Sequence, residues 1–139
     1  MSSTDLSSTD LSSTDFSDAR PSQTELSPSD TVRAGLESYQ AQDRARSESL
    51  IADDFVFTSP QDDHIDRAAF FERCFPTAGR LVSQEILAVA PAGASAAGDD
   101  VFVLYEYELK AGGRFRNVEV QTVRNGQIVA AQVFFGGQV

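Results

Sequence analysis

The pair Asn125-Gly126 constrains this chain more than any other two residues. Asn and Gly most readily take the positive φ angles of a two-residue type I′ turn. Here they separate FRNVEVQTVR from QIVAAQVFFG, two runs rich in Val, Phe and Thr, so a β-hairpin is predicted. The turn sets the register: Arg124 faces Gln127, Val123 faces Ile128, Glu119 faces Gln132 and Asn117 faces Phe134. Because side chains alternate across a sheet, one face is expected to carry Val118, Val120, Thr122, Val129, Ala131, Val133 and Phe135. The other carries Asn117, Glu119, Gln121, Val123, Ile128, Ala130, Gln132 and Phe134. The first face is apolar. The second mixes apolar residues with a carboxylate and three amides, which suits either a solvated surface or the floor of a polar-spotted pocket.

Upstream, the pattern places helices first. Ser27 to Asp30 offers N-cap residues, and Val32, Leu36 and Tyr39 then fall on one face of a first helix. Arg44 to Ala52 is expected to form a short second helix anchored by Leu50 and Ile51. Phe55 to Phe57 is expected as a strand stopping at Ser59-Pro60, since Pro cannot donate to a sheet ladder. Asp66 caps a third helix whose Phe70, Phe71, Cys74 and Phe75 form a stripe ending at Pro76. Leu81 to Ala90 is expected as a strand, Pro91 to Gly98 as an exposed loop, and Val101 to Leu109 as a long strand turned into the hairpin by Gly112-Gly113. Such segregation of helices from strands implies an α+β domain with helices covering one side of an antiparallel sheet.

Residues 2 to 16 repeat SSTDL, SSTDL and SSTDF. A five-residue period matches neither helix nor strand, and one apolar residue in five buries too little to offset the ordering of the backbone. Residues 1 to 28 are therefore expected to be a disordered low-complexity tail, with a phosphorylatable or partner-binding tail as the alternative. Residues 29 to 139 form the folded domain. The tail holds six acids and one Arg up to residue 30, so half of the formal charge of −10 lies there and half on the body. An acidic body argues against nucleic acid and anionic membranes as partners, both of which need a basic face. Cys74 is the single cysteine, which rules out an intramolecular disulfide and fits a small buried residue. Without a signal peptide pattern or an apolar run long enough to span a bilayer, a cytoplasmic location is expected.

The order helix, helix, short strand, helix, four long strands, with DDFVFTSP after the second helix and a closing VRNGQIVAAQVFFG, resembles the nuclear-transport-factor-2-like superfamily, specifically its SnoaL-like branch. The likeness covers residues 29 to 137. It implies a curved, mostly antiparallel sheet wrapped around three N-terminal helices into a cone with an internal pocket, and a homodimer formed through the outer side of the sheet. On that resemblance the mixed hairpin face looks inward. Asn117, Gln121, Gln132 and Phe134 then line the pocket with Ser59 and Asp63, while Val118, Val120, Val129, Val133 and Phe135 meet a second copy, since such a patch on a monomer invites aggregation. The alternative packs the apolar face on the helices and leaves Glu119 in water.

Ketosteroid isomerases of the superfamily use a helix-one Tyr and a strand carboxylic acid as an oxyanion hole, with a separate Asp as base. Tyr39 in ESYQA and Glu119, six positions before Asn125, resemble the first two. The base precedes a Pro in that family, and here Ser59 precedes Pro60; a serine without a neighbouring base cannot abstract a carbon-bound proton. His64, the only histidine, lies among Asp62, Asp63 and Asp66. Its spacing matches no metal-ligand motif, but it can serve at the cavity mouth as an acid or base paired with Asp63. A hairpin shifted by one residue would bring Arg116 toward an acid such as Asp63, the Arg and Asp pairing of the superfamily's epoxide hydrolases. The turn chemistry argues against that shift. The candidate catalytic residues are thus Glu119, Tyr39 and His64, and no cofactor or metal is implied. The expected function is binding of a small apolar or polyketide-like molecule, with cofactor-free isomerase- or cyclase-type acid–base chemistry; the alternative is a non-catalytic binding or dimeric structural module.

Overall fold

The computed structural model describes residues 26–139. The pentapeptide repeats, and with them most of the expected tail, lie outside the described residues. Ser27 opens helix α1 (Pro28–Ala41): its side chain accepts the Asp30 N–H at 3.0 Å, and Pro28 sits in the first turn, where a missing N–H costs nothing. Helix α1 buries Val32 and Leu36 and half-buries Tyr39, the predicted stripe. Helix α2 (Arg44–Leu50) is capped by Asp43 and tied to α1 by the buried Ser38–Ser47 hydroxyl pair at 2.6 Å. It ends two residues earlier than expected. Ile51 pairs with Ile128 and starts strand β1 (Ile51–Thr58), because a β-branched residue buried against the sheet contributes more there than at a helix end.

A loop leads to the two-residue strand β2 (Ile65–Asp66) and helix α3 (Arg67–Arg73), where Asp66 Oδ1 accepts the Ala69 N–H at 2.9 Å as the capping pattern predicts. A 3-10 helix over Phe75–Arg80 continues the stripe past Pro76. The long strands are β3 (Leu81–Ser95), β4 (Gly98–Leu109), β5 (Arg114–Arg124) and β6 (Gln127–Gln138). The expected loop from Pro91 to Gly98 is instead paired backbone, with Pro91 opposite Val101 and Ser95 opposite Gly98. Pro is tolerated because β3 is an edge strand and the ladder slips between Pro91 and Gly93.

The sheet runs β2-β1-β6-β5-β4-β3, with β1 and β6 parallel and every other neighbour antiparallel. The three helices pack on one side of it, in the α+β arrangement that the element order implies. Gln40 of α1 mimics a pairing strand at the outer edge: with its amide suitably turned, it bonds both the N–H and the carbonyl of Gln84 at 3.1 Å. That cover matters, since an open edge strand recruits other chains.

The hairpin begins in the predicted register, with Arg124 opposite Gln127 and Val123 opposite Ile128. One residue later it slips: Thr122 faces Ala130, Glu119 faces Val133 and Asn117 faces Phe135. An extra residue at Val129 makes a bulge, and from Ala130 to Phe135 every side chain of β6 changes face relative to the predicted register. Two expectations fail for this reason. Gln132 and Phe134, expected in the pocket, lie on the outer face. Val133 and Phe135, expected at a dimer surface, point toward the helices, and Val129 is buried at the bulge. Strand β5 has no such slip between Asn117 and Thr122, so Val118 and Val120 face outward as expected.

Candidate active site

Between the helices and the inner sheet face lies a cavity of about 550 Å³, within the roughly 300–1,000 Å³ range of small-molecule sites. Strand parity on β5 places Asn117, Glu119 and Gln121 in its wall, all buried. Aromatic walls come from Phe55, Phe57 and Phe70, which pack together with ring centroids 5.2–6.5 Å apart. Gly35 lets α1 approach the deep end closely, since a Cβ there would lie 2.8 Å from Ile128 Cδ1.

Glu119 is the centre of a buried hydrogen-bond chain. Tyr105 OH donates to Glu119 Oε2 at 2.7 Å, and Gln121 Nε2 donates to Oε1 at 2.8 Å. Asn117 Nδ2 donates to the Tyr105 oxygen at 3.3 Å, and Asn117 Oδ1 accepts the Gly136 N–H at 3.4 Å. Burial raises the Glu119 pKa above the ordinary carboxyl value, and the two donated bonds work against that rise. Burial also lifts the Tyr105 phenol far above its usual range, reinforced by the neighbouring Glu119 charge and hydrogen bond, so Tyr105 stays a donor. Gln121 Oε1 is buried with no partner among the described residues. Its amide is turned that way because Nε2 serves Glu119; protonation of Glu119 removes the need for that donor and frees the amide to turn over.

Tyr39, the expected partner of Glu119, reaches the cavity but bonds elsewhere. Its hydroxyl lies 2.7 Å from Thr77 Oγ1, and Thr77 gives its own proton to the Cys74 carbonyl at 2.6 Å, so Tyr39 is the donor. Burial raises its pKa, with the Thr77 hydrogen bond opposing and the Glu119 charge adding to the rise. The phenol bonded to Glu119 is therefore Tyr105 and not Tyr39. It sits on the inner face of β4, diagonal to Glu119 and opposite Asn117. In the sequence it belongs to an otherwise apolar alternation, and only its cross-strand position distinguishes it from a core tyrosine.

Ser59 lies in the cavity wall. His64 and Asp63 do pair, at 2.6 Å, but their side chains are 73% and 91% exposed and neither reaches the cavity wall. His64 adopts φ +50, in the left-handed region. The acid that does line the cavity is Asp62, held by Arg73 at 2.9 Å. It accepts a longer bond from the Cys74 thiol at 3.7 Å, whose pKa is pushed up to about 11 by burial and by the Asp62 charge. Cys74 is thus a protonated wall residue rather than a thiolate. The Arg and Asp pairing of the superfamily's epoxide hydrolases does not form at Arg116 and Asp63: Arg116 shares the outer face of β5 with Val118 and Val120 and bonds Glu106 at 2.9 Å, whereas Arg73 and Asp62 do pair, at 2.9 Å. No group of acids, His and Cys able to hold a metal ion is found among the described residues.

The family model for the SnoaL-like domain matches residues 32–131, which spans the helices, the cavity wall and most of the hairpin. The chain belongs to the SnoaL-like domain family. Its fold is nuclear-transport-factor-2-like, as solved structures at low identity confirm. A protein from Kribbella flavida DSM 17836 is 22% identical over 77% of this chain and 84% of its own, with a TM-score of 0.65. A putative polyketide cyclase from Pseudomonas putida KT2440 is 12% identical over 80% and 92%, with a TM-score of 0.61. An LEH-like epoxide hydrolase from M. tuberculosis is 20% identical over 77% and 76%, with a TM-score of 0.57. No curated protein matches the sequence. No helix among the described residues is long and apolar enough to cross a membrane.

Proposed function

We propose that this SnoaL-like domain binds a small, mostly apolar molecule in its cavity, and that Glu119 is the group that exchanges a proton or a hydrogen bond with it. One observation carries the reading: a single buried carboxyl, with a raised pKa and a fixed hydrogen-bond frame, stands in the wall of a cavity that Phe55, Phe57 and Phe70 also line. A carboxyl whose pKa is raised by burial suits cofactor-free isomerase- or cyclase-type chemistry. The likeness to a putative polyketide cyclase supports the same class of ligand. The second reading, binding without turnover, is favoured by the lack of a free second base in the cavity wall among the described residues: Ser59 precedes Pro60, Tyr39 is committed to Thr77, Asp62 is paired with Arg73, and His64 faces solvent. Binding of 2-naphthol, followed by NMR shifts of cavity residues, tests the shared part. Glu119→Gln should change its affinity at least about tenfold, the worth of one charge-assisted hydrogen bond; an unchanged affinity removes Glu119 from the site.

A second copy of the chain is the proposed partner for the outer sheet face. Ala88, Leu104, Val118 and Phe134 form one row across the strands, and Ala90, Phe102, Val120 and Gln132 the next. Phe102 is 44% and Phe134 49% exposed, unusual for two aromatic side chains so placed. Relative to the sequence-based surface, Val118 and Val120 stay, Val129, Val133 and Phe135 leave, and Phe102, Leu104 and Phe134 join. Val120→Arg should weaken the dimer at least about a hundredfold by burying an unpaired guanidinium in each subunit. Sedimentation showing a wild-type monomer at high concentration would defeat this assignment.

A further inference from the structure

The charged side chains of the cavity wall are not all paired with one another. Four charged side chains stand there: Glu119, Asp62, Arg73 and Arg80. Arg73 and Asp62 neutralise each other at 2.9 Å. Glu119 lies deep, where burial favours its neutral form. Arg80 remains, without an acidic partner among the described residues.

Arg80 is exposed and lines the cavity, which puts it at the mouth, and strand register gives its distance from Glu119. Glu119 pairs with Val103 on β4, while Leu81, next to Arg80, pairs with Leu109. From Val103 to Leu109 the strand advances about 20 Å at roughly 3.3 Å per residue. Lys110 is at the same level, because its N–H donates to the Arg80 carbonyl at 2.9 Å. Arg80, Leu109 and Lys110 share a shallow hollow beside the entrance, and the Lys110 side chain likewise has no acidic partner among the described residues. Two adjacent uncompensated cations at the mouth of an apolar cavity stand out on a chain of net charge −10, whose field otherwise repels anions. Between this rim and Glu119 the wall offers Leu81, Tyr107 and Leu109, suited to hydrocarbon.

We propose that the cavity accepts an amphipathic carboxylic acid, its hydrocarbon inside and its carboxylate held at the rim by Arg80 and Lys110. The proposal rests on the cavity being a small-molecule site and adds the charge and orientation of the ligand. A carboxylate at the rim keeps its distance from Glu119 and remains partly hydrated, whereas the same group driven inward would be desolvated beside another acid. The mouth therefore selects by charge and the interior by apolar volume.

Octanoate and 1-octanol, matched in chain length and different in charge, separate these contributions when titrated calorimetrically into the full chain at neutral pH and low salt. Octanoate should bind about tenfold more tightly, the scale of two partly exposed ion pairs. That advantage should vanish in the double variant Arg80→Gln, Lys110→Gln and shrink in high salt, while the affinity for 1-octanol stays the same in the variant, showing an intact cavity. Equal binding of the two probes by the wild type overturns the inference and leaves the cavity reading standing. An octanoate advantage that survives the double variant, or that disappears instead in Arg73→Gln, also overturns it. If neither probe binds, the small-molecule reading falls together with this one.

Discussion

Truncation of Phe55 to Ala is expected to destabilise the domain by about 3–5 kcal/mol. Phe55 is 2% exposed and among the largest fully buried side chains. Its ring stands edge-on to Phe70 at 5.2 Å and tilted to Phe57 at 6.5 Å, so it joins β1 to α3 across the wall of the cavity. The loss combines the transfer free energy of the ring with the cost of an enlarged void, because the facing rings are held by their own strands and helix and relax only in part. Denaturant unfolding of wild type and variant, compared at equal slope, measures it. A loss below about 1 kcal/mol would mean that the aromatic wall does not pack as described.

The second large effect concerns the frame around Glu119. Tyr105→Phe removes the donor to Glu119 Oε2 and the acceptor of Asn117 Nδ2 in one step, leaving two buried polar groups underserved at about 1–3 kcal/mol each. The cost should depend on pH. Burial already places the folded-state pKa of Glu119 above the ordinary carboxyl value, so the folded protein holds this proton more tightly than the unfolded chain. The stability contributed by the protonated group is then complete below the unfolded pKa and is lost as pH rises through the folded one. Loss of the Tyr105 hydroxyl raises the folded pKa further, which widens that window and makes the variant most deficient at its alkaline end. Comparison of unfolding free energies of wild type, Tyr105→Phe and Glu119→Gln from acidic to mildly alkaline pH isolates this group, since Glu119→Gln lacks the titration. Wild type and Glu119→Gln with parallel pH profiles would show that Glu119 ionises as freely folded as unfolded, and the acid–base role would go with it.

The parts of the fold legible in the sequence share a physical origin. Asn125-Gly126, the Asp66 cap and the Val32, Leu36, Tyr39 stripe each depend on backbone preferences and spacings a few residues long, and each appears where expected. The errors have non-local causes. Pro91 marks a loop only if the strand has neighbours on both sides, and nothing near it in sequence says that β3 lies at an edge. His64 and Asp63 bond to each other, but both are exposed and outside the cavity wall, which their adjacency in sequence does not reveal.

The candidate site divides in the same way. Alternation along β5 is a period-two property of uninterrupted backbone, so the residues themselves determine that Asn117, Glu119 and Gln121 share a face, and that Val118 and Val120 share the other. Which side of β6 looks inward was decided only in the assembled sheet. There the pairing of Ile128 with both Ile51 and Val123 is followed by the bulge that exchanges Gln132 and Phe134 for Ala131, Val133 and Phe135. The partner of Glu119 was likewise settled by tertiary structure: Tyr39 and Tyr105 are equally plausible phenols in one dimension, and a diagonal between neighbouring strands brings only Tyr105 within hydrogen-bonding distance of the carboxyl.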